Sequence, residues 1–214
     1  MVGRVEYRNP DGQTIYIEQT AGSYLLGFLN TSRVWGQAPA AGVPVQVTLQ
    51  RAGAIIGMDT LVSDDEDGDF YAFLIDASGR PVIQQPGDVL TASFGSGGSR
   101  SLTLAPLQLS VNLATNTVSG TGPAASLLGV SVRYSQPDPA PIDYVSTTVL
   151  TNESGRWSLD LNAWMLLVEA GDVSEVSYTT NGADYTYLGA VAPVFWVRSS
   201  VAPLGVNRVD NVSV

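Results

Sequence analysis

The residues best able to do chemistry in this sequence are carboxylates. Asp64, Asp65, Asp67 and Asp69 crowd with Glu66 into one run around Gly68, and hard oxygen donors of this kind suit Ca²⁺. The glycine stands between Asp67 and Asp69, not at the sixth position that an EF-hand loop requires, so that motif fails. Short acidic side chains also bond the backbone of their own turn. A metal-free turn is the expectation, with Ca²⁺ at Asp64, Asp65, Asp67 and Asp69 as the alternative and no other cofactor. The remaining candidate acids, Asp59, Asp76, Asp143 and Asp160, have no spacing that suggests the paired carboxylates of glycoside hydrolysis. The chain has no His, no Cys and no Lys, so it lacks imidazole, thiolate and amine chemistry near neutral pH. Nucleophile, oriented base and charge stabiliser cannot all be filled, and no catalytic residue is assigned.

Binding chemistry offers two candidates. Trp35 falls in an expected loop over 30–41, where an exposed indole could stack on a sugar ring or anchor a partner. Folding back over the end of the domain is the blander outcome for so large an apolar surface. The second candidate is the run Val194, Phe195, Trp196 and Val197, too apolar to lie free. Nucleic acid is disfavoured by a net charge of −10. No stretch approaches the roughly eighteen apolar residues of a membrane span, so insertion is not expected. The opening MVGRVEYRNPDGQ has no apolar h-region, so no secretory signal is expected in this chain.

The elements that must position these residues are organised around one stretch and its echo. TLVSDDEDGDFYAFL begins at Thr60 and TTVLTNESGRWSLDL at Thr147, with Gly68 over Gly155 and Phe70 over Trp157, each 87 residues apart. Each copy reads as an apolar strand, a polar turn closed by glycine, and an aromatic that returns the chain to the core. The second copy has Thr151-Asn152-Glu153-Ser154 where the first has its acids, so the turn does not need a metal. Further landmarks keep the same order: Gly27 with Gly120, Gly42-Val43 with Gly129-Val130, Gly87-Asp88 with Gly171-Asp172, Gly98 with Gly182, and Ala105-Pro106 with Ala192-Pro193. On this alignment Trp35 lies in a loop that the second copy lacks. Phe70 and Trp157 are expected in the two cores, and Trp164 is expected to cap the second.

Short period-2 runs separated by Gly, Pro and Asn turns predict an all-β fold. Val43, Val45, Val47 and Leu49 alternate with polar residues, and Pro44 places that strand at a sheet edge or at its own first residue. One short helical turn is conceivable at 161–170. The expected division is an N-terminal strand extension at 1–14, a first domain at 15–105, a second at 106–192 and a C-terminal extension at 193–214.

The order V-x-G, G-V-x-V, T-x-V-turn-G-x-[FW], G-D-V, A-P resembles bacterial immunoglobulin-like repeats. The residues that carry it are Val118-Ser119-Gly120, Gly129-Val130-Ser131-Val132, Thr147–Trp157 and Gly171-Asp172-Val173, with their counterparts in the first copy. The resemblance implies two tandem Ig-like β-sandwiches, of the kind found in bacterial surface proteins and phage virions, with no catalytic residues to transfer. It implies a stalk, adhesion or assembly role in an extracellular assembly. A virion component is the leading expectation; a cell-surface stalk, filament or adhesin subunit follows, and a carbohydrate-binding module using Trp35 is the alternative of a different class. Partners are then other chains of the assembly, self-association included, or a glycan. After Ala192-Pro193 a third repeat begins and stops, so the Val194–Val197 run is expected to add as a strand to a neighbouring chain's sheet edge. Completing the second domain is the competing reading.

Overall fold

The computed structural model describes residues 2–8, 14–20, 22–133, 144–164, 167–180, 183–192, 196–201 and 207–213, with the terminal segments given as strand backbone. The strands in chain order are β1 (Val2–Arg8), β2 (Thr14–Thr20), β3 (Tyr24–Phe28), β4 (Arg33–Gln37), β5 (Pro44–Arg51) and β6 (Ala54–Val62). There follow β7 (Asp69–Phe73), β8 (Val89–Ser93), β9 (Ser99–Thr103), β10 (Gln108–Asn112), β11 (Thr117–Thr121) and β12 (Leu127–Arg133). The last six are β13 (Tyr144–Leu150), β14 (Arg156–Asp160), β15 (Val173–Thr179), β16 (Tyr185–Val191), β17 (Trp196–Val201) and β18 (Asn207–Ser213). Helical structure among the described residues is limited to single 3₁₀ turns at Gly95–Gly97 and Asn162–Trp164. The protein is all-β, with sheets arranged as Ig-like sandwiches.

The chain divides into two compact units, one comprising Met1–Ala105 with Thr179–Thr186, the other Pro106–Tyr178 with Tyr187–Val214. In the first unit, β3, β4 and β7 lie side by side in one sheet, and β6, β5, β8 and β9 form the other. Alternation drives the packing: Val45, Val47 and Leu49 of β5 are fully buried, and in the other sheet Leu25, Val34 and Phe70 are buried as well. Pro44 opens β5, where no ladder bond is lost, so this strand lies inside its sheet rather than at the edge. In the second unit, β10, β11 and β14 form one layer, and β13, β12, β15 and β16 neighbour one another in the other. Its core gathers Val118, Trp157, Leu128, Val130, Val132 and Val176.

The register corrects the expected alignment. Gly36 lies opposite Phe70, and Gly120 lies opposite Trp157. A Cβ on Gly36 would come within 2.5 Å of the Phe70 ring, and one on Gly120 within 3.1 Å of the Trp157 ring. The glycine is therefore the hole into which each core aromatic fits. The first copy's V-x-G is Val34-Trp35-Gly36, and Gly27 is not the counterpart of Gly120. Trp35 stands on β4 at the position of Ser119 on β11, not in an extra loop. Gly42-Val43 is likewise displaced: Val43 stands just before β5 as Ser126 stands just before β12, whereas Gly129 lies within β12. Sequence matching failed because both strands of the β3–β4 hairpin carry a glycine, Gly27 and Gly36, two places after an apolar residue.

At the chain ends, among the described residues, β1 pairs with β2 and β17 with β18, each as an antiparallel two-stranded sheet. The described residues of the tail form this two-stranded sheet. Val194 and Phe195 lie outside the described residues; Trp196 and Val197 open β17, opposite Ser213 and Val212.

Candidate functional site

The β6–β7 turn, where the acids cluster, is built by its own backbone. Asp64 Oδ1 accepts the Glu66 N–H at 2.7 Å, and Asp67 Oδ1 accepts the Asp69 N–H at 3.1 Å. Asn152 does the same work in the second copy, accepting the N–H groups of Ser154 and Arg156. Gly68 and Gly155 close the two turns at φ 79° and 75°, where a side chain would be strained. Asp64, Asp65 and Asp67 are exposed, and Asp69 accepts the Tyr24 hydroxyl at 3.2 Å. Among the described residues no three acidic side chains form a metal-holding group.

Just before each turn stands a buried hydroxyl that sequence reasoning missed. Ser63 Oγ accepts the Val43 N–H and donates to the Ala40 carbonyl; Thr151 Oγ1 accepts the Ser126 N–H and donates to the Pro123 carbonyl at 2.6 Å. Asp88 and Asp172, both 2% exposed, accept the N–H groups of Gln85 and Glu169 in equivalent turns. Arg51 adds a forked ion pair to Asp88 at 2.8 Å. Asp184 had no signal in the sequence either. It is 1% exposed, accepts the Leu25 N–H at 2.9 Å and pairs with Arg100 at 2.5 Å, all within the first unit.

The other candidate acids stand apart. Asp59 lies on β6 and accepts the Phe73 N–H at 2.8 Å. The Ser78 hydroxyl, and then the Arg80 N–H, hold the Asp76 carboxyl well below the usual carboxylate range, which disqualifies it as a proton donor near neutral pH. Asp160 accepts the Asn162 N–H at the end of β14, and Asp143 lies outside the described residues.

Trp35 is half-buried and enclosed by aromatic rings. Tyr71 stacks on it with centroids 5.4 Å apart and planes 9° apart, and Tyr24 meets it edge-on at 6.1 Å. Its indole N–H is buried without a partner. One face of the indole is already occupied by the Tyr71 ring. The exposed rings are its neighbours on β7: Tyr71 is 62% and Phe73 55% exposed. Trp164, expected to cap the second core, is also exposed. A cleft of about 430 Å³ beside Tyr71 is lined by Val62, Asp64, Glu66, Asp67 and Asp69.

No protein-family profile matches the chain, and no curated protein does. Among solved structures, a tetra-tandem repeat from the extending region of a large adhesion protein matches at 16% identity and a TM-score of 0.30. That match covers 92% of this chain and 58% of the other. A Ca²⁺-stabilised adhesin with which an Antarctic bacterium binds ice matches at 16% identity and TM-score 0.25, covering 94% and 59%. A 1.5-MDa bacterial ice-binding adhesin matches at 12% and 0.26, covering 80% and 63%. The chain spans less than two thirds of the length of each.

Proposed function

We propose that this chain is a non-catalytic structural module, a tandem pair of Ig-like sandwiches serving as a spacer within an extracellular assembly. The observation that carries this reading is what the two copies share. Their common buried polar groups are Ser63 and Thr151, and Asp88 and Asp172, and all four hold turns. Among the described residues, the buried polar groups that duplication has retained are means of staying folded. A cell-surface stalk or adhesin segment suits such a spacer better than a virion part, for which no feature of the fold speaks.

The test is mechanical. Stretched from its ends in a single-molecule experiment, a spacer should show two separate unfolding events of sandwich size. A single low-force event, or turnover of any polysaccharide by the folded chain, would count against the reading.

A further inference from the structure

The strands that lead into the two polar turns treat their outer edges differently. β6 and β13 each end a sheet, with β5 and β12 as their inner neighbours. The Ser63 N–H donates to the Val43 carbonyl and the Thr151 N–H to the Ser126 carbonyl, which fixes the phase of each ladder. Ladder bonds alternate in an antiparallel pair. Met58, Thr60 and Val62 of β6, and Ser146, Thr148 and Leu150 of β13, therefore turn their N–H and C=O groups away from the inner neighbour. In the first unit two of these three positions are closed. Met58 exchanges both backbone bonds with Ile75, at 2.9 and 3.2 Å, and Asp59 Oδ1 accepts the Thr60 N–H at 2.8 Å. A register shift between Leu49 and Gln50 adds a bulge, a further guard on an edge.

The second unit lacks these guards. Where the first copy runs from Phe70 on to Ile75, the second runs from Trp157 to Asn162, which enters a 3₁₀ turn and donates to Asp160. Among the described residues, nothing bonds the outer edge of β13 at Ser146, Thr148 or Leu150. The strand has no charged residue and no proline, the usual means of keeping edges apart. Ser146 and Thr148 are exposed, and Leu150 is 66% exposed. The sequence of β13 says what fits this edge. YVSTTVL is symmetric in kind about Thr147, with Ser146 and Thr148 beside it, then Val145 and Val149, then Tyr144 and Leu150. A second β13 laid antiparallel and centred on Thr147 sets hydroxyl residues opposite hydroxyl residues and apolar residues opposite apolar ones. In that register Ser146 and Thr148 both point their backbone groups across the new seam. A slip by one residue would set outward groups against inward ones.

We propose that the outer edge of β13 pairs antiparallel with β13 of a second copy of this chain, about a two-fold axis at Thr147. The sheets of the two second units then join edge to edge, by main-chain bonds of the kind an added strand makes. An uncharged seam also suits copies that each carry a net charge of −10. Because the same strand serves on both sides, the contact closes on itself, holding two chains side by side and recruiting no third. The spacer reading above stands whether or not copies pair.

Sedimentation of the whole chain over a concentration series tests this. The wild-type chain should pass from monomer to dimer and stop there, and the dimer should persist as salt is raised, since no charge pair holds it. Ser146→Lys with Thr148→Lys sets like charges opposite each other across the seam and should weaken dimerisation at least about tenfold. Ser146→Glu with Thr148→Glu should do the same. Mixing the two variants should restore a dimer that neither forms alone, which also shows that both are folded. Thr148→Pro, which removes one outward donor, should weaken the wild-type dimer as well. A wild-type chain that stays monomeric at every concentration, assemblies larger than a dimer, charged variants that dimerise normally, or a mixture that stays monomeric would each overturn the proposal.

Discussion

Phe70 and Trp157 occupy one position in two copies, and their difference is instructive. Both are buried against a glycine, but the Trp157 indole N–H has no hydrogen-bond partner, whereas phenylalanine has no polar atom to bury. A buried donor without a partner costs about 1–3 kcal/mol. Trp157→Phe should therefore leave the second unit's stability near its wild-type value, the lost donor offsetting the smaller ring, whereas Phe70→Ala should cost the first about 3–5 kcal/mol. Urea unfolding followed separately for each unit would check both. Tyr24 gives a pH signature. Burial, and then the Asp69 carboxylate, raise its phenol above the ordinary range. The neutral form is the one favoured in the fold, so this contribution is complete below the unfolded value of about 10 and is lost as pH rises beyond it. Tyr24→Phe should lose less stability than wild type on going to alkaline pH, as denaturant midpoints would show. The two core aromatics were legible in the sequence because an aromatic two residues past a turn glycine has one place to go. Trp35 was misread because Gly27 and Gly36, on paired strands, both stand two places after an apolar residue, and the alignment took the wrong one.

At the scale of elements, the two copies solve the same turns with different side chains. Asp64 and Asn152 both bond the backbone ahead of them, so the neutral amide of the second copy builds the same turn without a charge for a cation to balance. Adding millimolar Ca²⁺ should therefore leave the melting temperature unchanged; a rise abolished by Asp67→Asn would establish a metal site. The hydroxyls of Ser63 and Thr151 each tie one strand's start to the end of its hairpin partner. Ser63→Ala or Thr151→Ala should cost about 1–3 kcal/mol in its own unit, measured by chemical denaturation. Ser63 drew no notice in the sequence and Thr151 only as a turn residue, since serine and threonine are common in strands and burial is not written in the chain. The two copies also satisfy one seam from opposite sides. The buried Gln84 donates to the Arg33 carbonyl at 2.5 Å in the first, and Asn116 accepts the Val168 N–H at 2.9 Å in the second.

For the whole molecule, the β class could be read from periodicity and punctuation. The assignment of residues 179–186 to the first unit could not, because Asp184 is a single polar residue whose partners lie 84 and 159 positions away. Removing one partner of a buried ion pair strands the other. Asp184→Ala should destabilise the first unit by about 3–5 kcal/mol, and thermal melts with probes in each unit would detect the asymmetry. This one carboxylate also bears on how the chain is made. A ribosome releases residues 1–105 long before Asp184 emerges, so the nascent first sandwich waits with the Leu25 amide and the Arg100 guanidinium lacking their buried acceptor. The first unit reaches its final stability only after most of the second has been synthesised, and a gene cut at the apparent boundary yields a fragment that is never completed.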